Sequence, residues 1–339
     1  TLAADLAPES GTPEIVAVDV SGRCVVAWTE DETWYADLAL KDVAGLSGVA
    51  VGDVDPGRPG PALFASGRSG QIHRIIRDGG AWRAGAVAAL VGRQAPRLFA
   101  GDLDRARPGD ELLAFTSVGE AFAVRPPVEG DGPWETRLVG RFPGKLRDAT
   151  LLPATESRPA RLAAALHCGE AAVLTLAGDR LERVPFAKAP VGFARVARRD
   201  GAAGGAETLY VARDDGVVSR HEQQADGSWS ETPVYFGAPG LRGLVSGRFS
   251  EDADTETLAV FGYDGKVRIL ARPPGGPWSV ETAFVDADRA HWLVAVELDG
   301  RNATQELVGC GYSGRVFVLA RPPGYGRPGT LVDPDALRD

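Results

Sequence analysis

Apolar and polar residues alternate along this chain in short runs of strand length, broken by glycine, proline and aspartate. One stretch shows the grammar. Leu241–Gly247 alternates, and Glu251-Asp252-Ala253-Asp254 turns the chain. Thr257–Gly262 is β-branched and aromatic, and Tyr263-Asp264-Gly265 turns again. Lys266–Leu270 alternates strictly, Arg272-Pro273-Pro274 breaks the run, and Trp278–Val285 closes it. A period of two between turn signals predicts four strands, a to d. An apolar stripe of helical period longer than a turn or two is absent, so few helices are expected.

The same unit recurs. The b–c turn ends in glycine at Gly22, Gly70, Gly119, Gly169, Gly216, Gly265 and Gly314, at spacings of 48, 49, 50, 47, 49 and 49 residues. Four short strands in a repeat of this length read as one blade of a β-propeller. The fold class expected is therefore all-β: a seven-bladed β-propeller of four-stranded antiparallel blades in one domain over 1–339. The blades fall near 1–45, 46–93, 94–143, 144–189, 190–238, 239–287 and 288–333. Strand a of the first blade is expected within residues 1 to 7 and strand d of the seventh near 326 to 332. Asp-Gly between alternating runs suggests type I′ hairpins.

Composition narrows the partners. The net charge of −9 opposes a general nucleic-acid binder, which needs a basic face. The apolar runs are far shorter than the ~18 residues of a membrane-spanning helix. Three cysteines, Cys24, Cys168 and Cys310, make no disulfide framework. The chain has no methionine and starts at Thr1, which fits a processed product on a secreted or periplasmic route, with a cytoplasmic location left open. The alanine, glycine, arginine and proline content has a bacterial flavour.

The a–b connections carry a second pattern. Gly52-Asp53-Val54-Asp55-Pro56-Gly57 and Gly101-Asp102-Leu103-Asp104 lead into apolar strands, as does Glu297-Leu298-Asp299-Gly300. These segments resemble the FG-GAP/VCBS-type propeller repeat. That resemblance implies the propeller fold and, in its complete form, a loop of carboxylates around Ca²⁺. Here Asp102, Asp104 and Asp110 keep part of the set, but Ala106 occupies the fifth position. Calcium at these three residues is one reading; turn-capping by aspartate is the other. Residues 284–309, with Ala290-His291-Trp292-Leu293, also resemble the repeat of aldos-2-ulose dehydratase-type propellers, which implies lyase chemistry on a sugar.

In an up-and-down blade the b–c turn and the start of strand a lie at the same end, with strand a innermost. Residues at both places should converge on one mouth of the central channel. The turns supply Val20, Arg68, Ser117, His167, Asp214, Tyr263 and Tyr312. The strand starts supply Ser47, Arg97, Arg147, Asp148, Phe193, Arg242, His291 and Trp292. Packing alone would make repeated positions alike, and these differ from blade to blade. One reading is a single pocket for a small polar or anionic molecule, possible carbohydrate included. His167, His291, Tyr263 and Tyr312 are then candidates for acid–base work of a lyase, dehydratase or isomerase. Arg68, Arg97, Arg147 and Arg242, with Asp148, Asp214 and Trp292, would hold the ligand. The competing readings are a non-catalytic carbohydrate- or protein-binding module and a structural subunit of an assembly; these residues do not decide whether catalysis occurs.

Trp34, Trp82, Trp134, Trp229 and Trp278 recur at the start of strand d, a regularity that suggests packing between neighbouring blades. Phosphate-loop, nucleophile-elbow and zinc-finger spacings are missing from the sequence.

Overall fold

The computed structural model describes residues 1–6, 12–30, 33–95, 97–104, 107, 109–127, 132–155, 158–199, 207–298, 300 and 303–320. Strands and turns account for them, and no helix occurs among the described residues. The chain divides into two compact units, Thr1–Val196 and Ala197–Asp339.

The first unit opens with the sheet β1 (Leu2–Ala4), β2 (Glu14–Val18), β3 (Cys24–Glu30) and β4 (Thr33–Leu40). The second sheet is β5 (Leu46–Gly52), β6 (Ala62–Gly67), β7 (Gln71–Asp78) and β8 (Ala81–Ala89). The third is β9 (Arg97–Gly101), β10 (Glu111–Phe115), β11 (Glu120–Arg125) and β12 (Glu135–Arg141). The fourth is β13 (Leu146–Leu152), β14 (Arg161–Leu166), β15 (Glu170–Ala177) and β16 (Arg180–Lys188). The fifth sheet is β17 (Phe193–Arg198), β18 (Thr208–Arg213), β19 (Val217–Gln223) and β20 (Trp229–Phe236). In the second unit follow β21 (Leu241–Ser246), β22 (Glu256–Gly262), β23 (Lys266–Arg272) and β24 (Ser279–Val285). The last sheet has three described strands, β25 (Ala290–Val296), β26 (Glu306–Gly311) and β27 (Val316–Leu319). Its expected fourth strand lies outside the described residues. The strand expected within residues 1 to 7 is β1, paired with β2.

Burial explains the strand sequences. Strand b is covered on both faces: every residue of β6, β10, β22 and β26 is buried. It therefore reads as a continuous apolar run instead of an alternating one. The outer strands alternate weakly and remain largely exposed, as in β24. The core lies between successive sheets. One cluster joins Val16 and Cys24 to Leu63 and Ile75, and another joins Phe64 and Ile72 to Leu112 and Val124. The first strands of neighbouring sheets lie against one another, β5 on β9 and β21 on β25.

The tryptophans act at these seams. Trp82 packs among first-sheet residues and donates its indole N–H to Asp37 at 3.1 Å. Trp134 meets Phe64 of the sheet before it, with ring centroids 5.7 Å apart. Trp278 meets Tyr210 edge-on at 6.2 Å. Trp34 departs from the pattern and is 47% exposed.

The recurring glycine has a different cause from the one the sequence suggests. In each of the seven b–c turns its N–H donates to the carbonyl three residues earlier, as in Gly216 to Arg213 and Gly265 to Gly262. Only the glycine has positive φ; the central residues do not. This is a type I turn closed by a left-handed residue, not a type I′ turn. In six blades the glycine carbonyl then accepts an N–H from the segment after strand d, for example Phe142 to Gly119 at 2.7 Å and Ala189 to Gly169 at 2.8 Å. A Cβ at Gly169 would sit 2.2 Å from the Ala189 carbonyl oxygen, so close backbone approach as well as φ requires glycine.

Candidate functional site

The start of strand a is built the same way in four blades. The pairing of strands a and b slips by one residue at Leu46/Gly48, Leu146/Asp148, Leu241/Gly243 and Ala290/Trp292. The extra residue in each is Ser47, Arg147, Arg242 and His291. A bulge of this kind re-aims the side chain of its extra residue. In the second unit it turns Arg242 and His291 toward the b–c turns.

There the side chains form one continuous chain of contacts. Arg242 donates through Nη1 to Asp214 Oδ1 at 2.7 Å and through Nε to the Tyr263 hydroxyl at 2.9 Å. Its guanidinium also lies 4.5 Å from the Tyr263 ring centroid. The Tyr263 and Tyr312 hydroxyls are 3.1 Å apart, and their rings meet at a tilted 5.9 Å. The His291 ring meets Tyr312 at 4.9 Å. His291 Nδ1 is 4.0 Å from Cys310 Sγ. Gly240 makes room: with φ of +95°, it would place a Cβ 2.5 Å from the Tyr263 ring. Tyr312 is 56% exposed, so the cluster faces solvent.

The electrostatics keep Arg242 charged and the Tyr312 phenol protonated. Burial works against the Arg242 charge, but Asp214 and Tyr263 outweigh it and raise its pKa. Burial and the hydrogen bond with Tyr263 push the Tyr312 phenol above its usual value. A phenol held protonated can donate a hydrogen bond. Asp214 and Arg242 offset each other in charge.

The sequence-derived set thus divides. Asp214, Arg242, Tyr263, Tyr312 and His291 come together in the second unit. Trp292 is half-buried and lies opposite Cys310 across β25 and β26. Arg68, Arg97, Arg147, Asp148 and His167 belong to the first unit. Arg97 ties inner strands together there, donating to the carbonyls of Arg147 at 2.9 Å and Ser47 at 3.4 Å. Asp148 is buried and accepts the Val196 N–H at 3.0 Å; burial raises its pKa, with Arg195 and Arg97 opposing. Arg68 and His167 are exposed, and the His167 N–H donates to Lys145.

Two of the three carboxylates considered for calcium serve a backbone group and an arginine. Asp110 accepts the Asp53 N–H at 2.8 Å, and Asp104 pairs with Arg107 at 3.3 Å. Asp102 adjoins Leu103, and Ala106 lies outside the described residues. Among the described residues no three His, Cys, Asp or Glu side chains gather as a metal site.

One recurring residue escaped the sequence reading. Strand b begins with a buried glutamate in several blades. Glu14 accepts the Leu6 N–H, Glu111 the Leu103 and Asp104 N–H groups, and Glu306 the Leu298 N–H. Each bond to the leucine spans eight residues and closes the a–b loop. A Leu–Glu pair at that fixed interval was the available signal.

Solved structures with the same fold are numerous. The chain is similar to BP39L lectin from Burkholderia pseudomallei, at 16% identity and a TM-score of 0.68, covering 94% of each chain. It is also similar to BBS1N, crystallised in complex with ARL6DN, at 13% identity and 0.62, covering 95% of this chain and 91% of that one. The WD40 β-propeller domain of Doa1 gives 12% identity and 0.62, covering 91% and 90%. At these identities the likeness shows the fold alone: a seven-bladed β-propeller. No protein-family model matches the chain, and no curated protein matches it. No helix among the described residues is long and apolar enough to cross a membrane.

Proposed function

We propose that the protein is a recognition module without chemistry of its own, and that its second unit holds a neutral, hydroxyl-rich ligand of carbohydrate type. The observation that carries this reading is the unbroken contact chain Asp214–Arg242–Tyr263–Tyr312–His291 on three successive blades. Two tyrosine faces offer stacking area, while a carboxylate and a guanidinium offer oriented acceptors and donors for vicinal hydroxyls. The internal Asp214–Arg242 pair leaves little net charge, which favours a neutral ligand over an anion. The raised Tyr312 pKa speaks for hydrogen bonding and against proton abstraction. Among proteins of this fold, BP39L is a lectin.

Isothermal titration against a panel of neutral mono- and oligosaccharides tests the proposal. One saturable site is expected, weakened at least about tenfold in Tyr312→Ala and in Arg242→Ala, a loss of ~1.4 kcal/mol or more. The bound sugar should be unchanged by NMR after long incubation. Turnover that disappears in Tyr312→Phe would replace recognition with catalysis. Failure of every sugar to bind would remove the carbohydrate reading.

A further inference from the structure

The position that closes the a–b loop with a glutamate in three blades holds a threonine in the sixth. There Thr257, eight residues after Phe249, accepts the loop N–H: Phe249 donates to its hydroxyl at 3.0 Å, and that hydroxyl donates to the Gly247 carbonyl. Glu256, one residue before that position, takes no part in this bond. Its carboxylate turns instead to three arginines. Arg272 donates to Oε2 through Nε at 3.1 Å and through Nη2. Arg220 Nε lies 3.5 Å and Arg199 Nε 3.8 Å from Oε1.

Among the described residues the ion pairs of these three arginines run to two carboxylates. Glu256 is committed to Arg272, and Glu222 pairs with Arg220. Burial pulls the Arg220 pKa below its ordinary value; Glu222 opposes this, while Arg272 and Arg199 add to it. Among the described residues the ion pair of Arg199 is the long contact to Glu256, and its side chain is 38% exposed. It borders a cleft of about 670 Å³ lined by Arg272, Glu256, Asp254 and the turn Pro273 to Gly276. A cleft of this volume admits a ligand of monosaccharide size. It lies at the far end of the β22–β23 hairpin from Tyr263, about 20 Å away along six residue steps of strand.

We infer that this cleft is a second binding site, for a small molecule carrying an oxyanion, either carboxylate or phosphate, which Arg199 and Arg272 grip while Glu256 holds the guanidinium of Arg272 in place. Pro273 and Pro274 supply an apolar wall, and Asp254 stands at the rim.

Titration calorimetry on the whole chain separates the ligand sources: glucuronate, glucose 6-phosphate, inorganic phosphate and neutral glucose. Saturable binding of at least one anion, weakening with added salt, is expected. Arg199→Ala should cost about tenfold or more in affinity, as expected for loss of a charge-assisted contact. Asp254→Asn removes an exposed like charge and should tighten the anion about two- to fivefold, a direction that a merely structural role would not give. Tyr312→Ala should leave anion binding unchanged, so failure of the carbohydrate site and of this one are read separately. Thermal melts confirm that both cleft variants fold, since both substituted residues have exposed side chains. The inference is overturned if no anion binds at about 10 mM, a Kd limit near 3 kcal/mol of binding. It is equally overturned if Arg199→Ala binds as well as wild type, or if neutral glucose competes equally.

Discussion

The fifth sheet holds two glycines of nearly equal backbone conformation and unequal surroundings. Gly216 closes the b–c turn with φ of +94°, and Gly227 closes the c–d turn with φ of +85°. Each donates its N–H three residues back, to Arg213 at 3.1 Å and Gln224 at 2.9 Å. A Cβ at Gly227 meets nothing within 4 Å, whereas one at Gly216 sits 2.4 Å from the Gly237 carbonyl oxygen and 2.5 Å from that of Ala238. Alanine in the left-handed region costs about 1–2 kcal/mol wherever it stands, and this alone is the expectation for Gly227→Ala. At Gly216 the chain after strand d must also retreat by roughly 1 Å to reach ordinary contact. The 3.0 Å bond from Gly237 to the Gly216 carbonyl is then lost or stretched, for about 1 kcal/mol more. With the packing disturbed around it, Gly216→Ala should destabilise by about 3–4 kcal/mol. At roughly 2 °C per kcal/mol in a chain of this size, the melting temperature should fall by about 6–8 °C for Gly216→Ala and 2–4 °C for Gly227→Ala. Circular dichroism melts of both variants at one protein concentration decide the matter. Equal shifts would show that φ alone explains the recurring glycine and that the contact with the following segment contributes nothing.

Cysteine chemistry should separate by burial: Cys168 is exposed, while Cys24 is buried and its thiol pushed up to about 12. Ellman's reagent should titrate Cys168 quickly in the native protein and reach Cys24 only after denaturation; rapid native reaction of Cys24 would contradict its burial. Burial lowers the pKa of His73 and of His221, with Glu231 opposing the shift at His221. The folded state then keeps both rings neutral while the unfolded chain takes up protons, so their contribution is present above the ordinary histidine pKa and lost as pH falls through it. The urea midpoint should drop between pH 7.5 and 5, and the drop should shrink in a His221→Asn variant. An unchanged drop would remove His221 as its source.

The fold was legible in the sequence because a propeller states its unit seven times. Each copy of an apolar run, a glycine turn and an alternating strand repeats the same constraint, and errors at one copy are corrected by the others. The glycine itself illustrates the limit. Its position was plain, but its reason involves a segment some twenty residues further on, as with Leu90 at Gly70, and no local turn rule contains that contact. The side-chain cluster of the second unit was legible in part for a related reason. Superposing the repeats brought Asp214, Arg242, Tyr263, Tyr312 and His291 into one list, but the same operation included Arg97 and Asp148. Their tasks become visible only when inner-strand carbonyls and N–H groups acquire coordinates.

The repeat also supplies a physical rule for where binding develops. Each blade must close its a–b loop and anchor its b–c turn, so a residue performing either duty is constrained by stability. It becomes available to a ligand only when a neighbour assumes the duty. In the sixth blade Thr257 closes the loop and Glu256 beside it faces arginines; at the b–c turn the hairpin backbone does the anchoring, where Gly216 and Gly265 carry the bonds and leave Asp214 and Tyr263 to face Arg242. The contrast with Glu111 follows directly. Its carboxylate is buried at the blade position that Thr257 takes in the sixth sheet and holds two loop N–H groups, so no ligand can claim it without opening that loop.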